Sequence, residues 1–327
     1  MISSALYAWY GACAGVGGPS TANMRQLIRI GVLLLPLAWP LPSSVTAQDL
    51  VPGAFTPGPV GFNVVTLVGG INSGDIAFDP ALSIEDGRST LGSAAVAYNR
   101  TLTIAGRFGS VGVAVPWIFG HVEGRLLGQL LEASRSGPAD LSARVAVNLV
   151  GAPAMTREQF AVYRPTTVFG VSVAVGVPLG QYDSSRVVNI GTNRWSIKPE
   201  AGLSRTRGRW TFEGSAGAAF FTDNTDFRQG GTYDQAPIMS MQGHLIYAIR
   251  PGMWVAGDGN FWMGGRVTSN GVPAAARQQN SRLGATLAVP IRRRQLRIAY
   301  SLGAYTRIGG DFSSLGVSYS YAWMGRP

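Results

Sequence analysis

Cysteine is almost absent from this chain. Cys13 is the only one among 327 residues, and it lies in a segment that we expect to be removed. The processed chain would then hold no disulfide and no cysteine-based metal site, and it could cross an oxidising compartment without mispairing. A disulfide-stapled fold is therefore excluded.

Charge is also scarce. Charged residues make up 13% of the chain, about half of the usual share of roughly 25%. Beyond residue 41, no apolar run reaches the roughly 20 residues of a membrane-spanning helix. These features favour strands that turn apolar side chains towards lipid. A soluble sandwich is the alternative, but its surface would need more charge.

Residues 24–47 have the three parts of a secretory signal. Arg25 and Arg29 form the basic start, residues 30–41 are apolar, and residues 45–47 offer small side chains for cleavage. The run is too short and too rich in proline for a membrane anchor, which is the alternative. We therefore expect an upstream extension over 1–23, a signal peptide over 24–47 and one domain over 48–327. Translation that starts at Met24 would account for the extension.

The basic charge of the chain comes almost entirely from arginine. The formal net charge is +10, and Lys198 is the only lysine. Nucleic acid is the usual partner of so basic a chain, but these arginines are scattered and the protein is expected to be exported. We expect no nucleic acid and, instead, attraction to anionic lipopolysaccharide.

Residues 193–227 predict a pair of long strands joined by a turn at 205–208. Apolar residues alternate with small or polar ones, which is the pattern of a strand whose successive side chains point to opposite faces. On the first strand the apolar face holds Trp195, Ile197, Pro199, Ala201 and Leu203. A transmembrane barrel strand has this pattern, with lipid on one side and a wet lumen on the other.

Twelve such strands are predicted, and ten or fourteen are the alternatives. They cover 61–69, 90–105, 109–120, 138–150, 165–178, 193–205, 208–222, 236–250, 253–266, 279–291, 294–306 and 311–324. The fold class is therefore all-β, a closed antiparallel transmembrane β-barrel, which leaves no unpaired edge in lipid. Residues 48–59 are expected to be an irregular lead-in.

Connections of the predicted strands alternate between short and long. This alternation is typical of barrels with short periplasmic turns and long outer loops, and it places both chain ends in the periplasm. Residues 151–164 depart from it, and Thr156 to Tyr163 could form a short helix there. Leu126 to Ala133 could also be helical.

Several stretches resemble an outer-membrane family, the meta-pathway of phenol degradation family. They are residues 143–160, 163–210, 220–224 and 281–291, and the most specific is PLGQYD…NIGTNRW…KPE over 178–200. The resemblance covers about residues 60–327. It implies an outer-membrane barrel related to channels for hydrophobic and aromatic compounds.

Polar residues on the inward faces of the strands are the candidate site. They are Arg144, Lys198, Glu200, Glu213, Gln242, His244, Asp258, Asn260, Arg282 and Arg297. Neighbouring strands could pair Lys198 with Glu213, and Glu200 with Arg209. These side chains either pack as a polar core that supports the wall or line a permeation path whose charges select solutes.

Aromatic and acidic residues near the strand ends offer further candidates. Trp254, Phe261 and Trp262 could line an apolar path, but we expect them to be interfacial anchors, the usual role of tryptophan at strand ends. Asp223, Asp226 and Asp234 could collect a cation, but acids in loops are more often simply solvated, and their spacing is not that of a calcium loop.

Enzyme activity has little support in the sequence. The two histidines are His121 and His244, and the chain lacks a Gly-x-Ser-x-Gly elbow and an HExxH motif. We expect no cofactor and no metal. The function predicted is passive passage of a small hydrophobic or aromatic solute through the outer membrane, after insertion by the barrel-assembly machinery. A structural or adhesive barrel with a plugged lumen is the alternative, and a barrel hydrolase is a more distant one.

Overall fold

One closed wall of strands dominates the structure. The computed structural model describes residues 50–76, 84–126, 129–164, 166–186, 188–228, 230–274, 277–292, 294–307 and 310–325. The predicted signal peptide and upstream extension lie outside these residues. No helix in the described chain is long and apolar enough to cross a membrane.

The chain forms seventeen strands and one short helix within the described residues. These are β1 (Phe62–Ile76), β2 (Ile84–Ile104), β3 (Arg107–Leu126), β4 (Gln129–Pro138), β5 (Leu141–Val150), α1 (Arg157–Val162), β6 (Thr167–Val177), β7 (Ser196–Arg207), β8 (Trp210–Phe221), β9 (Asn224–Phe227), β10 (Gly231–Gln235), β11 (Ile238–Arg250), β12 (Met253–Gly264), β13 (Val267–Ser269), β14 (Val272–Pro273), β15 (Gln278–Ile291), β16 (Arg294–Thr306) and β17 (Gly310–Met324).

The wall closes because β1 pairs with strands on both of its sides. Its register with β17 runs from Phe62 opposite Met324 to Ile76 opposite Gly310, and its other edge pairs with β2. Both β4 and β5 pair with β3, so they are two parts of one wall strand, interrupted at Ala139 and Asp140. The wall therefore has twelve antiparallel strands, and the predicted fold class and strand count are confirmed.

The outer surface of the wall is apolar. Leu67, Val96, Phe212, Met241 and Leu283 are each more than half exposed, and each alternates along its strand with less exposed neighbours. A soluble protein rarely exposes so continuous an apolar surface, whereas a barrel in a bilayer buries it in lipid. The prediction that these faces meet acyl chains rather than water fits this surface.

The two ends of the barrel differ. The short turns, the start of β1 and the end of β17 lie at one end, which we term the periplasmic end. A second sheet, with the strand order β14-β13-β10-β9, is formed by the two connections that follow β8 and β12 at the other end. We term that end the loop end.

The first wall strands are longer than predicted. Two long connections were expected over 70–89 and 121–137, but β1, β2, β3 and β4 continue into them. The helix considered for Leu126 to Ala133 is wrong for the described part of that range, because residues 129–133 pair with β3. Alternation beyond the bilayer is weak because both faces meet water there, so the sequence does not mark where these strands end.

The short helix in the long periplasmic connection is confirmed. The hydroxyl of Thr156 accepts a hydrogen bond from the backbone N–H of Gln159, and the Gln159 side chain accepts one from the backbone N–H of Thr156. This reciprocal pair satisfies two free donors of the first turn. Backbone N–H and hydroxyl donors also lower the pKa of Glu158 in that turn, the backbone donor contributing most.

Candidate functional site in the barrel lumen

The start of the described chain lies inside the barrel. Residues 50–61, which we term the N-terminal plug, include most of the stretch 48–59 that was expected to be an irregular lead-in. Val51 and Phe55 are buried instead. Plug backbone groups bond to side chains on several strands, among them Gln242, Glu213, Asn148 and Thr101. The lead-in prediction was therefore incomplete, because proline and glycine disfavour regular structure without indicating where the segment packs.

Phe55 fixes the plug against the wall. The guanidinium of Arg144 lies 5.3 Å from the centre of its ring. The ring occupies space left by two glycines, since a Cβ on Gly202 would lie 2.2 Å from Phe55 Cε2 and one on Gly170 would lie 2.5 Å from Phe55 Cδ1. Any larger residue at these two positions would displace the ring. The remaining cavity beside residues 53–56 is only about 10 Å³, room for about one water molecule.

A buried charge cluster lies on the wall beside the plug. Glu200 forms ion pairs with two cations, at 3.8 Å from Arg144 Nη2 and 3.5 Å from Lys198 Nζ. Gln242 Nε2 also donates to Glu200 at 3.4 Å, and Arg144 Nη2 donates to Ser172 Oγ at 2.9 Å. One carboxylate thus serves two cations, and this cluster carries excess positive charge.

The two predicted charge pairs are not formed. Glu213 accepts from the backbone of Gly53 and the hydroxyl of Ser204 rather than from Lys198. Arg209 is exposed in the turn between β7 and β8 and does not reach Glu200. The pairing of β7 with β8 skips Lys198 and Pro199, because proline has no N–H to give to the ladder. Lys198 and Glu200 pair with each other because they lie two residues apart on the same face of β7.

His244 and Asp258 form a second cluster on neighbouring strands. His244 Nδ1 lies 2.7 Å from Asp258 Oδ1, and Thr286 donates to Asp258 Oδ2 at 2.7 Å. The other ring nitrogen lies 3.4 Å from Gln242 Oε1. Gln242 thus connects this pair with Glu200. Both nitrogens of His244 are engaged, so in this arrangement neither serves a nucleophilic hydroxyl.

The other predicted site residues lie farther along the wall. Asn260 is buried on the same face of β12 as Asp258. Arg282 donates to the carbonyl of Phe312 and to Ser314 Oγ, which binds it to β17. Arg297 stacks over Trp254, with 5.2 Å between guanidinium and ring centre. The structure therefore brings together Arg144, Lys198, Glu200, Gln242, His244 and Asp258, and it places the remaining residues around them.

The anchor interpretation of two tryptophans is wrong. Trp254 and Trp262 are 6% and 2% exposed, and they share a face of β12 with Asp258 and Asn260. Of the three aromatic candidates, Phe261 alone lies on the opposite face. Trp262 packs with Ala219, Ile238 and Phe221 at the loop end. The sequence of β12 could have revealed this orientation. Both tryptophans lie on the same face of the strand as Asp258 and Asn260, and polar residues on a barrel strand point into the lumen.

Asp140 attaches an outer loop to the break in the wall, a role that the sequence did not reveal. Its carboxylate accepts from the backbone N–H of Gly180, and from the backbone N–H and hydroxyl of Thr192. The connection between β6 and β7 is thereby folded over the loop end. Within this connection, hydrogen bonds from the hydroxyl and backbone of Ser185 lower the pKa of Asp183, the hydroxyl contributing most.

The acidic residues of the outer loops do not form a cation site. Asp223, Asp226 and Asp234 are all exposed. Among the described residues, no three histidine, cysteine, aspartate or glutamate side chains are placed to hold a metal ion.

Comparisons with known proteins agree with this architecture. The sequence profile of the family described as the putative MetA-pathway of phenol degradation matches residues 46–317. An outer-membrane channel from Pseudomonas putida F1 has a similar structure, with 19% identity, a TM-score of 0.69, and coverage of 83% of this chain and 99% of that one. The β domain of the Bordetella autotransporter BrkA, at 12% identity and covering 80% and 99%, is less similar, with a TM-score of 0.48. No curated protein sequence matches.

Proposed function

Because the chain belongs to the family described as the putative MetA-pathway of phenol degradation, we propose that it is a passive outer-membrane channel for small hydrophobic or aromatic compounds. The wall has the lipid-facing surface and the closed pairing that an outer-membrane barrel requires. The similar structure from Pseudomonas putida F1 is described as an outer-membrane channel, which supports the proposal.

The main observation in favour of the channel proposal is the order of side chains along the lumen. At the loop end the inner face is apolar and aromatic, with Trp262, Ile238 and Phe221 packed together. Towards the middle of the same strands it becomes polar, with Asp258, His244 and Gln242. Aromatic solutes gain from contact with aromatic faces, so the loop end suits their entry.

The plug narrows the path through the barrel, and this favours the alternative function, a barrel that conducts nothing. A lumen filled by residues 50–61 would also suit a structural or adhesive barrel that conducts nothing. The two functions differ in one property, since only a channel lets ions and solutes pass. Permeation past the plug therefore distinguishes them.

Ion current through a planar bilayer tests the proposal. Small aromatic compounds cross phospholipid unaided, so current is a cleaner readout than their uptake by vesicles. We expect discrete current steps from the purified protein and brief interruptions when phenol is added. A barrel that inserts and conducts no current would support the structural alternative.

Charge variants in the lumen sharpen this test. Glu200→Ala leaves Arg144 and Lys198 without their shared carboxylate, so the channel should favour anions more strongly. Lys198→Ala removes one cation and should shift selectivity the other way. Asp234→Ala, in an exposed loop, is the matched control and should change little. Folded variants with identical selectivity would show that this cluster is not on the path.

Two further properties are part of the proposal. The wall closes with the aromatic-rich β17 paired to β1, which suits recognition of the last strand by the barrel-assembly machinery. Catalysis is not proposed, because Asp258 and Gln242 engage both ring nitrogens of His244. Ester hydrolysis by the purified protein that is lost in His244→Ala would restore the hydrolase hypothesis.

A further inference from the structure

Arginine collects at the periplasmic end of the barrel. The arginines described there are Arg100, Arg107, Arg157, Arg164, Arg205, Arg207, Arg209, Arg250, Arg292 and Arg294. Outside the lumen, Glu158 is the acidic residue described at this end. The loop end differs, because its arginines are accompanied by many acids, among them Asp75, Glu123, Asp183 and Asp311. The excess positive charge of the wall is therefore concentrated at the periplasmic end.

Two of these arginines lie on the lipid-facing side of β7. Arg205 is opposite Phe212, and Arg207 is opposite Trp210. Opposed residues of an antiparallel pair share a face of the sheet. Phe212 is 56% exposed and Trp210 is 44% exposed, so that shared face is the outer one. Both guanidinium groups thus project from the surface that meets the bilayer.

Aromatic residues mark the depth of this site. Trp210 is also opposite Tyr247 of β11, and their ring centres are 4.7 Å apart. Such aromatic pairs lie at the level of lipid headgroups. Arg207 is level with this pair, and Arg205 lies one row deeper with Phe212 and Leu245. Arg205 is therefore at the edge of the hydrocarbon, and its long side chain can reach back to the headgroups.

Neither arginine has a carboxylate partner in the described chain. The ion pairs found there involve Arg88, Arg144, Arg186, Lys198 and His244. Arg209, exposed in the turn after β7, and Arg250, exposed at the end of β11, add two more cations without such a partner in the described chain. Basic side chains near a membrane surface are attracted to anionic lipid headgroups. The described part of the chain therefore supplies no carboxylate for them, and an anionic lipid could take that place.

We propose that Arg205 and Arg207, flanked by Trp210 and Tyr247, bind the headgroup of an anionic phospholipid in the inner leaflet. The guanidinium group is planar and offers paired donors that match phosphate oxygens. Both side chains project from the lipid-facing surface at headgroup depth, so lipid headgroups are the anions held next to them, and lipopolysaccharide occupies the opposite leaflet. Arg209 and Arg250 strengthen the attraction from the periplasmic side. This site is independent of solute passage.

Lipid titration followed by native mass spectrometry tests the proposal. Detergent-solubilised protein is titrated with phosphatidylglycerol and, separately, with phosphatidylcholine. A basic residue near an anionic membrane surface contributes about 1 kcal/mol, equivalent to about fivefold in affinity. We therefore expect the double variant Arg205→Gln/Arg207→Gln to bind phosphatidylglycerol about tenfold more weakly or worse, and added salt to weaken binding to the native protein.

A matched variant controls for the loss of charge itself. Arg266 and Arg277 are exposed at the loop end, so Arg266→Gln/Arg277→Gln removes the same charge elsewhere and should leave binding within about twofold of the native protein. Each variant is first checked for the heat-modifiable mobility of a folded barrel. Equal loss in both double variants, equal binding of the two lipids, or unchanged binding in the β7 variant would each overturn the proposal.

Discussion

Single residues decide how the plug and the wall fit together. Phe55 is large, and the wall accepts it only where Gly170 and Gly202 carry no side chain. Neither glycine has an unusual backbone conformation that would have singled it out in the sequence. Their role follows from a contact between positions more than a hundred residues apart, which local patterns cannot reveal. The candidate charged residues, by contrast, were found because polar side chains in strand phase point away from lipid.

Gly202→Ala should loosen the plug. The added methyl group would overlap the Phe55 ring, and overpacking of this kind costs about 1–3 kcal/mol. With Cys13 changed to Ser, Ala54→Cys gives a single thiol in the plug, and its rate of modification by a polar thiol reagent reports how firmly the plug is held. We expect faster labelling in the Gly202→Ala background.

The control for this prediction is Gly257→Ala. A Cβ on Gly257 would meet nothing within 4 Å, so labelling at position 54 should keep its native rate. Equal labelling rates in the Gly202 and Gly257 variants would show that Phe55 does not hold the plug in this position.

At the scale of elements, alternation predicted the wall strands but not the full length of the first ones. All twelve wall strands were predicted, because lipid on one side and a polar lumen on the other impose a period of two. The helix α1 was also predicted from residues 156–163. The extensions of β1 to β4 and the small sheet at the loop end were not predicted, since strands beyond the bilayer have no such two-sided environment.

Asp140→Ala should release the connection between β6 and β7. Three donors, from Gly180 and Thr192, would lose their acceptor at once, and buried donors without partners are costly. Arg186 lies in this connection and is exposed. We therefore expect trypsin to cleave after Arg186 faster in the variant while the wall stays intact.

Asp234→Ala is the control for that experiment. It removes an exposed carboxylate from another outer loop and leaves the Asp140 contacts in place. If both variants were cleaved as slowly as the native protein, Asp140 would not be the residue that holds the loop.

For the whole molecule, the sequence predicted a barrel in the outer membrane but did not predict that the N-terminal plug fills its lumen. Low charge, strand alternation and connection lengths together indicated a barrel in the outer membrane. Nothing in residues 50–61 indicated that they return into that barrel, because proline and glycine report only a lack of regular structure. The plug fills space that the wall alone leaves open, so its removal should widen the path through the barrel.

Deletion of residues 50–58 tests this account most directly. Pro59 and Val60, which lie just before β1, are kept because they form hydrogen bonds with Thr101 and Met155. With both proteins inserted in planar bilayers, the account predicts small current steps for the native protein and clearly larger ones for the deletion variant. Steps of the same size in both, or no current from either, would contradict it.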